Sequence, residues 1–385
     1  MTNHTITNYG STFTFNNTGT RTTVGFGTAG LGNRGYEVLI DALKAGFRRF
    51  DTAEESDYWY DQDAVGSALQ SFFVEEQLNE SNKRTDEEEN CIMTAYDISL
   101  VEDDVDDIYL EASQQNDNDR KSLPCSTPKS ICPSNLSVST KIPPWELTST
   151  SNIRNRAKRS RQILLGFCDH VQSSPTGNQI NRVPLDIYYI HAPTCWDGWH
   201  TRCHPSRKPS ILPLRESWKA MEQIVSQDGS AKRIGLSNIS PEELKDIIHF
   251  VKVRLERGDI HPHRPRLPDV VQAYADPIYT NRALRKICEQ HGIEFVSYST
   301  LGTQHRGGNG NPVLNHDTVL RLSNKHERSV AEVVLNWALA RNMSVIPRSS
   351  NHHHIRQLAN MINGEDVAYF LEEEDIVAMD ALSLN

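Results

Sequence analysis

The stretch FRRFDTAEESDYWYDQDAVGSAL, Phe47 to Leu69, starts as a short strand and ends as a helix, with Asp51 at the join. Two tyrosines, Tyr58 and Tyr60, flank Trp59 a few residues on. A strand that ends in a carboxylate and opens into an aromatic loop has the makings of an active-site lip. Two further segments share this layout. VSTKIPP places Lys141 just past a β-branched run, and LDIYYIHAP places His191 just past another. An acid, a lysine and a histidine thus stand at the C-terminal ends of three successive expected strands, the end of a parallel barrel where catalytic residues converge.

Working outward, strand-like and helix-like segments alternate. TVGFGTAGLG (Thr23–Gly32) runs from a strand into a Gly-rich turn whose spacing does not fit a dinucleotide fingerprint. YEVLIDALKAGF spaces Val38, Leu39, Ala42, Leu43 and Phe47 as a helix face. Helices are expected over NIRNRAKRSRQILLGF, RESWKAMEQIVSQ, PEELKDIIHFVKVRLERG, NRALRKICEQHG (stopping at Gly292), RSVAEVVLNWALARN and a last one opening at HHIRQLANMI. Between them lie the strands AKRIGLSNIS, DVVQAYAD, IEFVSYSTLG and MSVIPRSS. Eight strands in one continuous alternation imply an α/β fold, a (β/α)8 TIM barrel, with an open doubly wound sheet as runner-up. The whole chain, 1–385, reads as a single domain.

Composition changes sharply between about Asn79 and Pro133. Between Glu75 and Lys121 there are sixteen Asp and Glu against four Lys and Arg, a net of −12. The whole chain carries −10, so the remainder carries about +2. Residues 79–133 are expected to be a disordered acidic insertion between the second helix and the third strand, too polar to offset its conformational entropy. Within it YDISLVEDDVDDIYL (Tyr96–Leu110) offers an edge strand to a protein partner, against the commoner reading as a solvated charged run. A smaller insertion is expected near 170–182. Mean hydropathy of −0.55 agrees with part of the chain being unpacked.

No segment approaches the ~20 apolar residues of a membrane span. The basic start of NIRNRAKRSRQ lacks interleaved aromatics, so nucleic acid is not expected either. Seven cysteines without regular spacing argue against a disulfide framework, and with no apolar N-terminal run a reducing, cytoplasmic setting is expected. CWDGWHTRCH gathers Cys195, His200, Cys203 and His204, but at no usual ligand spacing, so no metal is expected.

Together FDTA with AVGSAL, VSTK, LDIYYIHAP, RIGLSN and VIPRSSNHHHI resemble, in order, the landmarks of the aldo-keto reductase family. The likeness covers the chain outside the two insertions. It implies NADPH-dependent reduction of a small-molecule carbonyl substrate by a tetrad of Asp51, Tyr60, Lys141 and His191. The family usually shows D-x-x-x-x-Y. Here the loop is two residues longer if Tyr58 is the acid and four longer if it is Tyr60, which YDQD favours. Lys141 would lower the acid's pKa, Asp51 would hold the lysine, and His191 would hydrogen-bond the substrate oxygen. The resemblance also assigns the cofactor. Ser237, Asn238 and Gln272 would hold the carboxamide, Tyr298 would stack on the nicotinamide, and Ser299 and Leu301 would border the pyrophosphate. Arg348 and Ser349 would contact the adenosine phosphate, so NADP is preferred over NAD. His354 and Leu358 replace residues that many members carry as Arg and Asn. Trp145, Trp196 and Trp199 are expected to wall the substrate pocket. Two rival functions remain open: an NADPH-binding sensor or regulatory subunit without turnover, and a lyase using Lys141 as nucleophile.

Overall fold

Short parallel strands cannot be joined by hairpins, so each must be followed by a crossover that packs back on the sheet. The computed structural model describes residues 22–55, 59–81, 131–174, 177–204, 206, 210–259, 264–305, 310–363, 366–367 and 369–383. Eight strands form one parallel sheet: β1 (Phe26–Gly27), β2 (Arg49–Asp51), β3 (Ser137–Ile142), β4 (Leu185–Ile190), β5 (Ala231–Ser237), β6 (Val270–Tyr274), β7 (Glu294–Tyr298) and β8 (Met343–Val345). They neighbour one another in chain order, and a parallel bridge between Val24 and Val345 joins the two edges. Gly25 N donates to Val345 O at 2.8 Å and Val345 N to Thr23 O at 2.9 Å. The sheet is thus a closed barrel, and the open doubly wound alternative falls.

The crossovers carry α1 (Gly35–Lys44), α2 (Gln62–Ser81), α3 (Thr150–Leu165), α4 (Leu214–Gln223), α5 (Pro241–Glu256), α6 (Arg282–His291), α7 (Asp317–His326) and α8 (Val330–Ala340). After β8 come α9 (His352–Ala359) and α10 (Glu373–Asp380). The anticipated face of α1, Val38, Leu39, Ala42 and Leu43, is buried, as is Phe47 beyond it. Two helices lie outside the expected alternation. α7 stands between β7 and α8, and α10 follows the helix expected to be last. Its charged start, EEEDIV, masks a short inward stripe of Ile376 and Met379.

Apolar packing lies on both sides of the sheet. Outside it the helices cover a large core with Trp218 and Trp337 wholly buried. A second cluster, Ile187, Tyr189, Val270 and Val296 with Ile346 against it, comes from alternate positions on β4, β6 and β7. Two-residue periodicity puts these side chains on the inward face. There the fold needs one glycine for space: a Cβ on Gly235 would fall 2.5 Å from the Tyr189 ring. Gly66 is a second such place, where α2 meets α3 so closely that a Cβ would fall 2.2 Å from Ile163 O.

α2 runs on to Ser81, past the expected start of the acidic insertion, and the chain is described again from Ile131. Most of 79–133, including Tyr96–Leu110, lies outside the described residues, between α2 and β3. Residues 170–182, expected as a small insertion, hold an antiparallel hairpin of His170–Ser174 and Gly177–Asn181. The cysteine reading needs correcting. Disulfides join Cys132 to Cys168 and Cys195 to Cys203, while Cys288 is free and buried. Sequence separations of 36 and 8 have no pattern to recognise, because the fold alone brings these pairs together. No described helix is long and apolar enough to cross a membrane.

Candidate active site

Asp51 and Lys141 end neighbouring strands, and the β2–β3 register places Asp51 beside Ser139, two residues before Lys141 on the same face. Lys141 is completely buried, so its amine must find partners inside the protein. Its Nζ makes an ion pair with Asp51 Oδ1 and donates to Thr52 O at 2.8 Å. The other Asp51 oxygen accepts from Ser139 Oγ at 2.8 Å and Gln272 Nε2 at 2.9 Å. Two strands, β3 and β6, therefore supply the donors to one carboxylate on a third, β2. Gln272, expected to hold a carboxamide, spends its amide on Asp51.

Tyr60 lies above this pair. Lys141 Nζ is 5.2 Å from its ring centroid, and the His191 ring meets it edge-on at 5.8 Å between centroids. The loop that carries it is tied down by Gly30 N donating to Trp59 O at 2.5 Å and Tyr60 N to Glu55 O at 3.3 Å. Tyr58 falls outside the described residues. The phenol is not lowered as expected from Lys141. Burial first, then the carboxylates of Asp51 and Glu55, push the Tyr60 hydroxyl well above the ordinary tyrosine range. The physical reason is that Lys141 is engaged by Asp51, so the phenol faces negative charge as well as poor solvation.

His191 is held on every side. Its backbone carbonyl accepts from Asn238 Nδ2 at 2.9 Å, and its ring sits edge-on to Trp199 at 5.1 Å. Its Nδ1 contacts Oε1 of Glu55, a buried carboxylate whose Oε2 accepts from Trp199 Nε1 at 3.2 Å. Glu55 was missed by the sequence reading. Its only signal was a second acid in DTAEES, on the very loop taken to carry the acid. Its neighbour Glu54 turns away, into bonds with Arg156, Ser160 and Tyr188 at 2.6 Å each.

The tryptophans expected to wall the pocket differ in exposure. Trp145 and Trp199 are buried, with Trp145 stacked on His200 at 4.4 Å. Trp196 stacks on Trp199 at 3.8 Å and is the exposed one of the three. The Cys195–Cys203 disulfide closes the loop that carries Trp196 and Trp199. In CWDGWHTRCH, then, the two cysteines bond each other.

The expected cofactor residues end β5 to β8. Tyr298 donates to Asn238 Oδ1 at 2.6 Å, and burial lifts its hydroxyl to about 12. Ser237 Oγ accepts from Asn238 Nδ2 at 3.2 Å. Asn238 and Ser299 have φ of 52° and 53°, so the chain turns sharply after β5 and β7. Leu301 packs on the core, and Leu358 is buried in it. Arg348 is exposed and reaches Gly30 O at 3.4 Å. Ser349 Oγ accepts from Asn351 N, and His354 N donates to Asn351 Oδ1 at the start of α9. Both groups of residues stand at or beyond the C-terminal ends of the parallel strands, the same end of the barrel.

Residues 132–382, more than half of the chain, match the sequence profile of the aldo/keto reductase family. The match includes Lys141 and His191 and begins after Asp51 and Tyr60. The chain is 28% identical over 217 residues to the probable NAD(P)H-dependent D-xylose reductase of Aspergillus terreus, covering 52% of this chain and 62% of that protein. It is 29% identical over 210 residues to aldose reductase C of Dictyostelium discoideum, covering 52% and 58%. The chain thus spans about three fifths of the length of these curated relatives. Among solved structures, the fold is similar to the Bombyx mori aldo-keto reductase in complex with NADP (TM-score 0.59, 20% identity, 98% of this chain and 91% of that one). It is similar also to the aldose reductase of Schistosoma japonicum (TM-score 0.59, 18% identity, 94% and 89%). By this profile match, supported by the closed barrel and the residues at its rim, the chain belongs to the aldo/keto reductase family.

Proposed function

We propose that this protein reduces an aldehyde or ketone to an alcohol with NADPH, using Tyr60 as proton donor. The observation that carries the reading is the buried Asp51–Lys141 pair with the rings of Tyr60 and His191 set beside it at one mouth of the barrel. The rim next to it suits a dinucleotide. Tyr298 offers an aromatic face, Ser237, Ser299 and Ser349 offer hydroxyls, and Arg348 offers an exposed guanidinium for a phosphate. Asn238, Gln272, Leu301 and His354 complete the contact surface in this reading, and the family relatives named for NAD(P)H support it. Bound there, NADPH supplies the hydride that goes to the carbonyl carbon.

The chain's own side chains then manage the oxygen. Tyr60, kept protonated by its surroundings, holds the proton that reduction consumes. Lys141 stands close enough to oppose negative charge developing on the phenol, and Asp51 keeps it there. His191 orients the carbonyl. Removing a general acid of this kind lowers the rate about 10²- to 10⁴-fold. NADPH oxidation, followed by absorbance with a panel of reactive aldehydes, tests the reading. Wild type is expected to turn over, Tyr60→Phe to lose turnover by that factor, and Tyr58→Phe to retain it. Loss only in Tyr58→Phe moves the acid to Tyr58.

The lengthened loop and the upward shift of Tyr60 favour one rival, an NADPH-binding barrel without turnover. NADPH that quenches protein fluorescence while every aldehyde stays untouched would establish it. The lyase reading loses ground, since Lys141 Nζ donates to Asp51 and Thr52 O rather than standing free as a nucleophile. In this reading the chain is one barrel domain with 79–133 as an insertion in it.

A further inference from the structure

We propose that Glu55 is a positioning residue that keeps protons on both ring nitrogens of His191, so that the imidazole meets the substrate oxygen as a charged donor. The proposal deepens the carbonyl-reduction reading and rests on it. Glu55 has a side chain only 1% exposed, on the loop between β2 and α2. Its Oε1 is in ion-pair contact with His191 Nδ1, and among the described residues neither atom has a hydrogen-bond partner. Its Oε2 already accepts from Trp199 Nε1, which suits an ionised carboxylate, an acceptor at both oxygens.

The consequence is a matter of counting protons. A carboxylate only accepts, so Nδ1 must carry hydrogen. A neutral ring would then leave Nε2 bare, with its lone pair turned against the lone pairs of a carbonyl oxygen. Donation from Nε2 requires the imidazolium, and the buried Glu55 charge compensates it. Other neighbours keep the ring in place for that donation, with Asn238 on its backbone carbonyl and the rings of Tyr60 and Trp199 edge-on to it. The titratable groups around it are Glu55 and Tyr60 from the β2–α2 loop, the Asp51–Lys141 pair below Tyr60, and Tyr298, which reaches it through Asn238. The competing arrangement is a protonated Glu55 donating to a bare Nδ1, which leaves a neutral donor.

Long-range ¹H–¹⁵N spectra of the full-length protein labelled on histidine nitrogen distinguish the two. The His191 signals are identified by their loss in His191→Asn. Near neutral pH, wild type is expected to show both His191 nitrogens protonated, and Glu55→Gln only one. Glu55→Gln is also expected to lower kcat about 10- to 100-fold with little change in KM. Its kcat for reduction should fall off at lower pH than that of wild type. A singly protonated His191 in wild type overturns the proposal, even where Glu55→Gln fails to fold. An unchanged His191 spectrum in a folded Glu55→Gln overturns it too. Carbonyl reduction by wild type together with a neutral His191 removes the pair's role and leaves the reduction reading standing. The expected spectra without reduction of any carbonyl do the reverse.

Discussion

The strand-borne half of the site and its loop-borne half are held by different forces. Asp51 and Lys141 are positioned by backbone ladders, Asp51 beside Ser139 on β3 and Lys141 beside Tyr189 on β4. Their side chains are wholly enclosed and bonded to neighbouring strands. Tyr60, Glu55 and the tryptophans stand on connections between strands and helices, tied by a few hydrogen bonds, ring contacts and one disulfide. In the first half, chemistry and stability share the same atoms. In the second, chemistry can be removed with the fold left in place. Strand pairing thus locates the site, while the loops set its proton chemistry.

Lys141→Ala breaks this contrast hardest. It leaves the Asp51 carboxylate buried without its cation, which costs about 3–5 kcal/mol. A large drop in the urea midpoint, together with lost turnover, is expected. Tyr60→Phe should do the opposite, losing turnover while its urea midpoint stays close to wild type. If both variants lost comparable stability, the two halves would not be separable.

Gly235→Ala probes the barrel interior with no change to any polar group. Its new Cβ would overlap the Tyr189 ring, and overpacking of this kind costs about 1–3 kcal/mol. NADPH binding by the folded fraction should be retained.

The smallest effect concerns alkaline pH. Burial raises Tyr188 and Tyr189 on β4 and Tyr60 on its loop well above the ordinary tyrosine value. The folded protein keeps these protons while the unfolded chain releases them near pH ~10. Stability is therefore fully present below about pH 10 and falls as pH rises beyond it. Thermal melts on either side of that value should show the decline. In Tyr60→Phe the slope should become only slightly shallower, since the two strand tyrosines remain.

Asp51, Lys141 and His191 were legible because each follows a β-branched or aromatic run that can only be a strand, and strand ends in a parallel barrel share one rim. Glu55 was not legible. Glu54 and Glu55 are adjacent and chemically alike, yet one joins a structural network with Arg156 and the other faces His191. Local sequence cannot tell them apart, because the choice depends on Trp199, 144 residues away. α7 escaped notice because its ten residues, DTVLRLSNKH, bury only Val319 and Leu322, too short a stripe to outweigh the polar surroundings.

The sequence by itself determined the alternation of strands and helices, and with it the barrel, the placing of an acid, a lysine and a histidine at one end, and the family. These are properties of apolar periodicity and of residues at the ends of periodic runs, and both are local. Only the tertiary structure decided which cysteines bond, which of two neighbouring glutamates faces the histidine, and that Tyr60 is pushed up rather than down. Each of these depends on how the closed barrel sets side chains against one another in space, and on how much water and charge remain around a group once it has closed.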